Sequence, residues 1–312
     1  MTTGNNLNVP EKGYVLIYDS GLYYGIKHTG EYAIASDIDK NYTAYVQSSK
    51  NLMLETNVNV LVKKDNSFDE KKLSIITLNR NASKYIEIFM LLFNAFKDSL
   101  KCNDLSVLFY DLLELFSRQK SYSEIELQGL YGELFFIYVY KIKKNVDLTH
   151  YYQRENYRKF DFSISGKEKI DVKTTLSKNR THHFLLEQLN TFRYNIYIVS
   201  IMLEKDDKGL SLLDLIEFCL KNFDCNYDFV KNMQNILLNT NKDILSTVRY
   251  NENYLIENLR IYNALDIPRI KEKTQDGVYN VKFESDLTNV TRYSSLTQID
   301  NEIIKLTKQN CD

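Results

Sequence analysis

Lys159-Phe-Asp-Phe-Ser163 and Lys169-Ile-Asp-Val-Lys-Thr-Thr175 are two short alternating runs joined by Ser165-Gly-Lys-Glu168, a hairpin-like link. In a strand, successive side chains point to opposite faces. Asp171 and Lys173 therefore share one face, and Ile170 and Val172 share the other. Asp161, flanked by Phe160 and Phe162, repeats the pattern ten residues upstream. If the runs pair as a hairpin, Asp161 and Asp171 approach each other. Two close carboxylates repel, and a divalent cation is the usual way to keep both ionised. Oxygen ligands favour Mg²⁺ or Mn²⁺ over zinc. The chain holds four acid-x-lysine triplets, and only Asp171-Val-Lys173 lies in an alternating strand with an acid on a second strand. A half-exposed strand with a surface ion pair fits that triplet equally well.

Upstream, Gln128-Gly-Leu-Tyr-Gly-Glu-Leu-Phe-Phe136 reads as helix, opened by the capping-box pair Ser123 and Glu126 and running to about Lys143. Glu133 interrupts its apolar face, and a buried carboxylate needs a partner. The alternative is a glutamate snorkelling at the edge of that face. Gly129 and Gly132 each weaken a helix by about 1 kcal/mol relative to Ala. They make sense where the helix must lie close on a sheet.

Further out, Tyr14–Tyr18, Leu22–Ile26, Tyr32–Ala35 and Thr56–Val62 read as strands of a small N-terminal sheet. From Ser83 the period becomes helical, through Tyr85–Phe96 and Leu105–Phe116. Beyond the hairpin, strands are expected near His183–Leu186, Tyr194–Leu203, Tyr254–Tyr262 and Val278–Phe283. Asp206-Asp-Lys-Gly209 reads as a polar turn. Helices are expected at Ser211–Leu220, Phe229–Leu238 and Leu296–Lys308.

Composition narrows the classes. The chain has 312 residues, 44% hydrophobic and 26% charged, with 10 Gly and 2 Pro, which excludes disordered, collagen-like and low-complexity chains. Forty basic residues against 41 acidic ones leave a net charge of −1, so an anion-binding surface needs local segregation. Residues 141–180 supply it, with eleven basic and five acidic residues. Arg154, Arg158, Lys178, Arg180 and His182 are the candidate nucleic-acid contacts. Tyr151, Tyr152 and Tyr157 are candidates for base stacking, though a structural role suits them better. Cys102, Cys219, Cys225 and Cys311 show no zinc-site spacing, and Cys219 and Cys225, near helical apolar positions, read as core. There is no phosphate loop, dinucleotide fingerprint or Gly-x-Ser-x-Gly elbow. No leader or membrane-length apolar run is visible, so the expected location is the cytoplasm, with no membrane partner.

Taken in order, Gln128–Leu134, Asp161-Phe162, Asp171-Val-Lys-Thr-Thr175 and Glu187-Gln-Leu189 resemble the PD-(D/E)XK phosphodiesterase superfamily. Within it they most resemble a bacterial branch named only for the motif and found among defence and restriction genes. The resemblance is sharp from Gln128 to Leu189 and looser over most of the remaining chain. Phe160 stands where the superfamily name has Pro, and Asp171 where this branch more often has Glu. Tyr151–Phe160 replaces the usual aromatic-Gly-Pro approach to the first acid.

The resemblance implies an α/β (α+β) restriction-endonuclease-like core of αβββαβ type. Glu133, Asp161 and Asp171 would hold Mg²⁺ or Mn²⁺, Lys173 would be the catalytic lysine, and Glu187-Gln188 would orient catalytic groups. Four regions are expected: a β-rich part over 1–80, a helical connector over 81–122, the nuclease core over 123–205 and an α/β extension over 206–312. The implied function is Mg²⁺-dependent DNA cleavage in a restriction or anti-phage system. Its candidate partners are DNA, an NTPase or methyltransferase subunit of that system and a second copy of the chain. The competing reading is a non-catalytic DNA- or partner-binding subunit that keeps the fold.

Overall fold

The alternating runs near the N-terminus form β1 (Tyr14–Asp19), β2 (Leu22–Lys27), β3 (Tyr32–Asp37), β4 (Val46–Ser48), β5 (Leu52–Lys64) and β6 (Ser67–Leu78). This computed structural model describes residues 11–37, 43–64, 67–98, 105–117, 121–153, 159–189, 191–270 and 275–291. The strand order is β1-β2-β3-β6-β5, and β5 returns to β1 in parallel, closing a ring of five strands with β4 added outside β5. Closure removes the open edges that a flat sheet would leave. Alternate residues fill the ring: Tyr14 and Leu16, Ala33 and Ala35, Val60 and Val62, Leu73 and Ile75. Gly25 of β2 sits opposite Leu16, and a Cβ there would lie 1.9 Å from the Val15 carbonyl oxygen. Only glycine permits that approach.

Next come α1 (Ile86–Asp98) and α2 (Leu105–Ser117). Phe93 of α1 meets Tyr24 of β2, and α2 packs on β5 and β6.

The second half begins with α3 (Glu124–Lys144). Both arms of its capping box are made, Glu126 N–H to Ser123 Oγ at 3.3 Å and Ser123 N–H to Glu126 Oε2 at 2.9 Å. There follow β7 (Phe162–Ser163), β8 (Glu168–Thr175), β9 (Thr181–Leu185), β10 (Asn195–Met202) and β11 (Lys205–Ser211). Then come α4 (Leu212–Asn222), α5 (Tyr227–Asn239), α6 (Lys242–Thr247), β12 (Arg249–Tyr250), α7 (Glu252–Asn258), β13 (Leu259–Asn263) and β14 (Lys282–Asp286). The central sheet runs β7-β8-β10-β13, with β8 and β10 parallel and the other two pairs antiparallel. Its strands follow chain order. Together with α3 and α4 they give the mixed α/β restriction-endonuclease-like core expected of α3-β7-β8-β10-α4-β13. One face of the sheet buries Phe160, Phe184, Ile196, Ile198 and Tyr262.

The chain divides into two compact units, residues 1–120 with 226–235, and residues 121–225 with 236–312. Most of the expected helical connector thus falls in the first unit. Most of the expected C-terminal extension falls in the same unit as the core. Among the described residues, no helix is long and apolar enough to cross a membrane.

Three local expectations are corrected. Tyr254–Tyr262 is not one strand: Asn251 caps Tyr254 N–H and opens α7, and only Leu259 onward is extended. The late strand is Lys282–Asp286 rather than Val278–Phe283, because its register is set by β9, with Phe283 opposite Phe184. Asp206–Gly209 lies within β11 as a looped-out bulge, since Lys205 and Leu210 both pair with Tyr250. The expected helix at 296–308 lies outside the described residues.

Candidate active site

The site is built from the α3–β8 contact outward. A Cβ on Gly132 would lie 2.2 Å from Thr174 Cγ2, so this glycine lets the helix rest on β8. Gln128 Nε2, one turn earlier, donates to Thr174 Oγ1 at 3.1 Å. Gly129 has nothing within 4 Å of its would-be Cβ, so the expectation of close packing holds for Gly132 and not for Gly129. The contact fixes Glu133, the next residue along the helix, relative to the strand.

β7 and β8 pair as the sequence pattern requires, Phe162 with Ile170 and Ser163 with Lys169. The next rung of that register sets Asp161 opposite Asp171. β7 ends before Val172, whose N–H is left without a strand partner. The Asp161 carboxylate takes its place, accepting from Val172 N at 2.6 Å. Asp171 is 2% exposed, and its Oδ2 lies 2.7 Å from Lys173 Nζ. The buried Oδ2 is held by the Lys173 ammonium as an ion pair. Gln188 Nε2 donates to Asp171 Oδ1 at 3.4 Å, while Gln188 Oε1 is fixed by Leu185 N–H at 3.0 Å. Glu133 Oε2 accepts from Tyr152 Oη at 2.5 Å. Tyr152 was not singled out as a partner for Glu133 from sequence. The signal was there, in a tyrosine-rich segment leading to Asp161.

Electrostatics ties the four residues together. Burial, then the charges of Glu133 and Asp171, push the Asp161 carboxyl well above the usual carboxylate range. Burial also raises Asp171, against the opposing pull of Lys173. Burial works against the Lys173 ammonium, but the carboxylates of Asp171, Asp161 and Glu133 outweigh it and hold the amine charged. A carboxyl held protonated by burial and by two neighbouring carboxylates marks this cluster as the candidate functional site.

The candidate nucleic-acid residues separate. Arg154 and Arg158 lie outside the described residues, and Lys178 is exposed. Arg180 and His182 are not on the surface: they are 2% and 3% exposed. Arg180 donates to Ser200 O at 3.1 Å, Ser200 Oγ at 2.9 Å and Asn258 O at 2.6 Å. His182 Nε2 is 2.7 Å from Ser200 Oγ. Burial and the nearby Lys173 and Arg180 charges push the imidazole down to about 4, so it is neutral near pH 7. Both side chains therefore brace β9 against β10 and offer no phosphate contact.

A family model described as "Putative PD-(D/E)XK family member" (DUF4420) matches residues 21–288. The chain belongs to that family. No curated protein and no solved structure matches it. The PD-(D/E)XK match begins before the last residue of β2 and ends past β14, so both units contribute to it.

A donor set of three carboxylates suits a hard divalent cation. Glu133, Asp161 and Asp171 supply oxygen only. Among the described residues, no three acid, histidine or cysteine side chains are grouped as a ready metal site. Val172 N–H, Tyr152 Oη and Lys173 Nζ occupy the acids instead. Glu133, Asp161 and Asp171 are the residues that could hold the ion, with those donors yielding.

Proposed function

We propose that this protein hydrolyses phosphodiester bonds in DNA as a Mg²⁺- or Mn²⁺-dependent endonuclease of a restriction or anti-phage system in the cytoplasm. The observation that carries the proposal is the cluster of Asp161, just before β7, with Asp171 and Lys173 of β8, whose charges act on one another and on Glu133 of α3. The defence setting is supported by the resemblance over Gln128–Leu189.

A divalent cation bound by the three acids would acidify a water and neutralise charge on the phosphate. Lys173 keeps its proton and is 20% exposed along its side chain, so its Nζ can donate to a phosphate oxygen or to the attacking water. Asp171 anchors that ammonium from the buried side. Gln188 fixes the other oxygen of Asp171, and Tyr152 fixes Glu133. Water adds to phosphorus and one P–O ester bond breaks. Lys173 stabilises the charge that develops on the phosphate oxygens.

The test is cleavage of DNA by the full chain with Mg²⁺ or Mn²⁺, with the genetic neighbours added where needed. Lys173→Ala is expected to keep fold and DNA binding while losing about 10²–10³-fold in rate. Cleavage by Lys173→Ala at the wild-type rate would reduce the Asp171–Lys173 pair to an ion pair of the fold. Wild-type protein that binds DNA and never cleaves it would favour the non-catalytic subunit instead.

A further inference from the structure

Lys169 stands on β8 two residues before Asp171, so Lys169, Asp171 and Lys173 share one face of the strand. Lys173 leans towards the acid, with Nζ 2.7 Å from Asp171 Oδ2. Lys169 leans the other way, to the turn between β7 and β8. Its Nζ donates to Ser163 Oγ and, at 2.8 Å, to Ser165 O, and it stands 5.3 Å over the Tyr194 ring. All three neighbours are neutral. An ammonium has three donors, and two are used here. Among the described residues, no carboxylate comes within ion-pair distance of this Nζ. Glu168, the residue before it, is engaged by Ser165 Oγ and by Asn195 Nδ2 at 3.1 Å. A half-buried cation with a donor to spare and no counter-ion is placed for an anion.

The spacing decides which anion. Four residues of strand span ~13 Å, so Lys169 and Lys173 are rooted that far apart with Asp171 midway. Their side chains diverge, one to the acid and one to the turn. They cannot serve one phosphate.

We propose that Lys169 holds a second backbone phosphate of the bound DNA, apart from the one that Lys173 faces. The inference rests on the nuclease reading above and deepens it. The bound strand would run along β8, with the scissile phosphate at Asp171 and Lys173 and an anchoring phosphate at Lys169. Such a contact carries no base information, so it supplies affinity and register without sequence preference.

Binding of a duplex oligonucleotide by the full chain is measured over a range of salt, with Ca²⁺ in place of Mg²⁺. Each phosphate neutralised adds about 0.9 to the slope of log affinity against log salt. Lys169→Gln keeps an N–H for the Ser163 hydroxyl and removes one charge. Its slope should be shallower by about 0.9, so a fourfold rise in salt costs it about 3.5-fold less affinity than it costs the wild type. Lys169→Arg should restore the slope. Lys205→Gln, at an exposed position on β11, should leave it unchanged. A wild-type slope in Lys169→Gln, or an equal change in Lys205→Gln, overturns the anchoring role alone. Loss of the fold in both Lys169→Gln and Lys169→Met does so too, since the lysine is then a strut of the turn. Wild-type protein that binds no DNA overturns both this inference and the reading beneath it.

Discussion

The first unit buries the hydroxyls of Ser36, Thr56, Ser74 and Thr77 and the amide of Gln234; the second buries hydroxyls too, among them Thr149, Ser200 and Ser211, and adds Asp171, Arg180 and His182. Every buried Asp, Glu, Lys, Arg or His among the described residues thus falls within twelve consecutive positions of one unit. Hydroxyls are cheap to bury where a neighbour satisfies them, as Tyr14 Oη and Thr77 Oγ1 do at 3.0 Å, and the Ser36 Oγ is the exception in this unit. Charges are not, and a unit held together only for stability would replace them. The ring of β1, β2, β3, β6 and β5 is built for closure. The β7–β8–β10 region carries charged and ionisable groups that need partners inside the fold, as Arg180 finds in Ser200 and Asn258 and Asp171 in Lys173.

That contrast can be broken by substitution. The largest effect is expected at Arg180. Arg180→Met leaves the Ser200 and Asn258 carbonyls without their donor and should lower the second unit's stability to urea by about 3 kcal/mol or more. Its counterpart in the first unit, Thr77→Val, should lower stability by about 1 kcal/mol. Equal losses would mean that the two cores bury polarity on the same terms.

Glycines give the next comparison. Gly25→Ala drives a Cβ onto the Val15 backbone oxygen, which cannot rotate away, and should lose about 1–3 kcal/mol by chemical denaturation. Gly132→Ala meets a side-chain methyl of Thr174 and should lose less. A larger loss at Gly132 would make the helix–strand contact the tighter of the two.

The acids predict a pH signature. The folded-state carboxyl of Asp161 titrates well above its unfolded value of about 3.9. The cation-free folded protein therefore holds a proton that the unfolded chain has lost. Its stability should fall as pH rises from about 4 through the raised folded value. Asp161→Asn should remove that decline. The variant should melt with the wild type near pH 4 and above it near pH 8, by ~2–4 °C for each kcal/mol relieved. Parallel melting curves across that range would show that Asp161 carries no such strain.

The smallest effect is a gain. Gly129 has open space around it, so Gly129→Ala should stabilise α3 by up to about 1 kcal/mol. A loss there would reveal a neighbour outside the described residues.

What could be read from sequence was what is local. The capping boxes at Ser123 and Ser211 lie within four residues and mark the starts of α3 and α4. The β7–β8 hairpin was legible because its pattern and turn are contiguous, and it placed Asp161 against Asp171. Pairings of distant segments were not legible. The parallel β1–β5 closure joins Val15 to Leu61, and the Arg180 anchor joins residues 180 and 258. Arg180 looked like a surface cation because nothing nearby in the chain shows the carbonyls that receive it. Tyr254–Tyr262 was misread because its apolar residues fit both periods, and the Asn251 cap decided for helix. Within the candidate site, Asp161, Asp171 and Lys173 were legible from strand alternation and Glu133 from its place on an apolar helix face, while Tyr152 as the partner of Glu133 was not, since that hydrogen bond crosses 19 residues.

The central claim is that the second unit's acids are a cation site. Isothermal titration of the full chain with Mn²⁺ tests it without requiring a substrate. The wild type should bind, and Asp161→Ala and Asp171→Ala should each abolish the heat of binding while keeping the fold by circular dichroism. Mn²⁺ binding that persists unchanged in both variants would contradict the account.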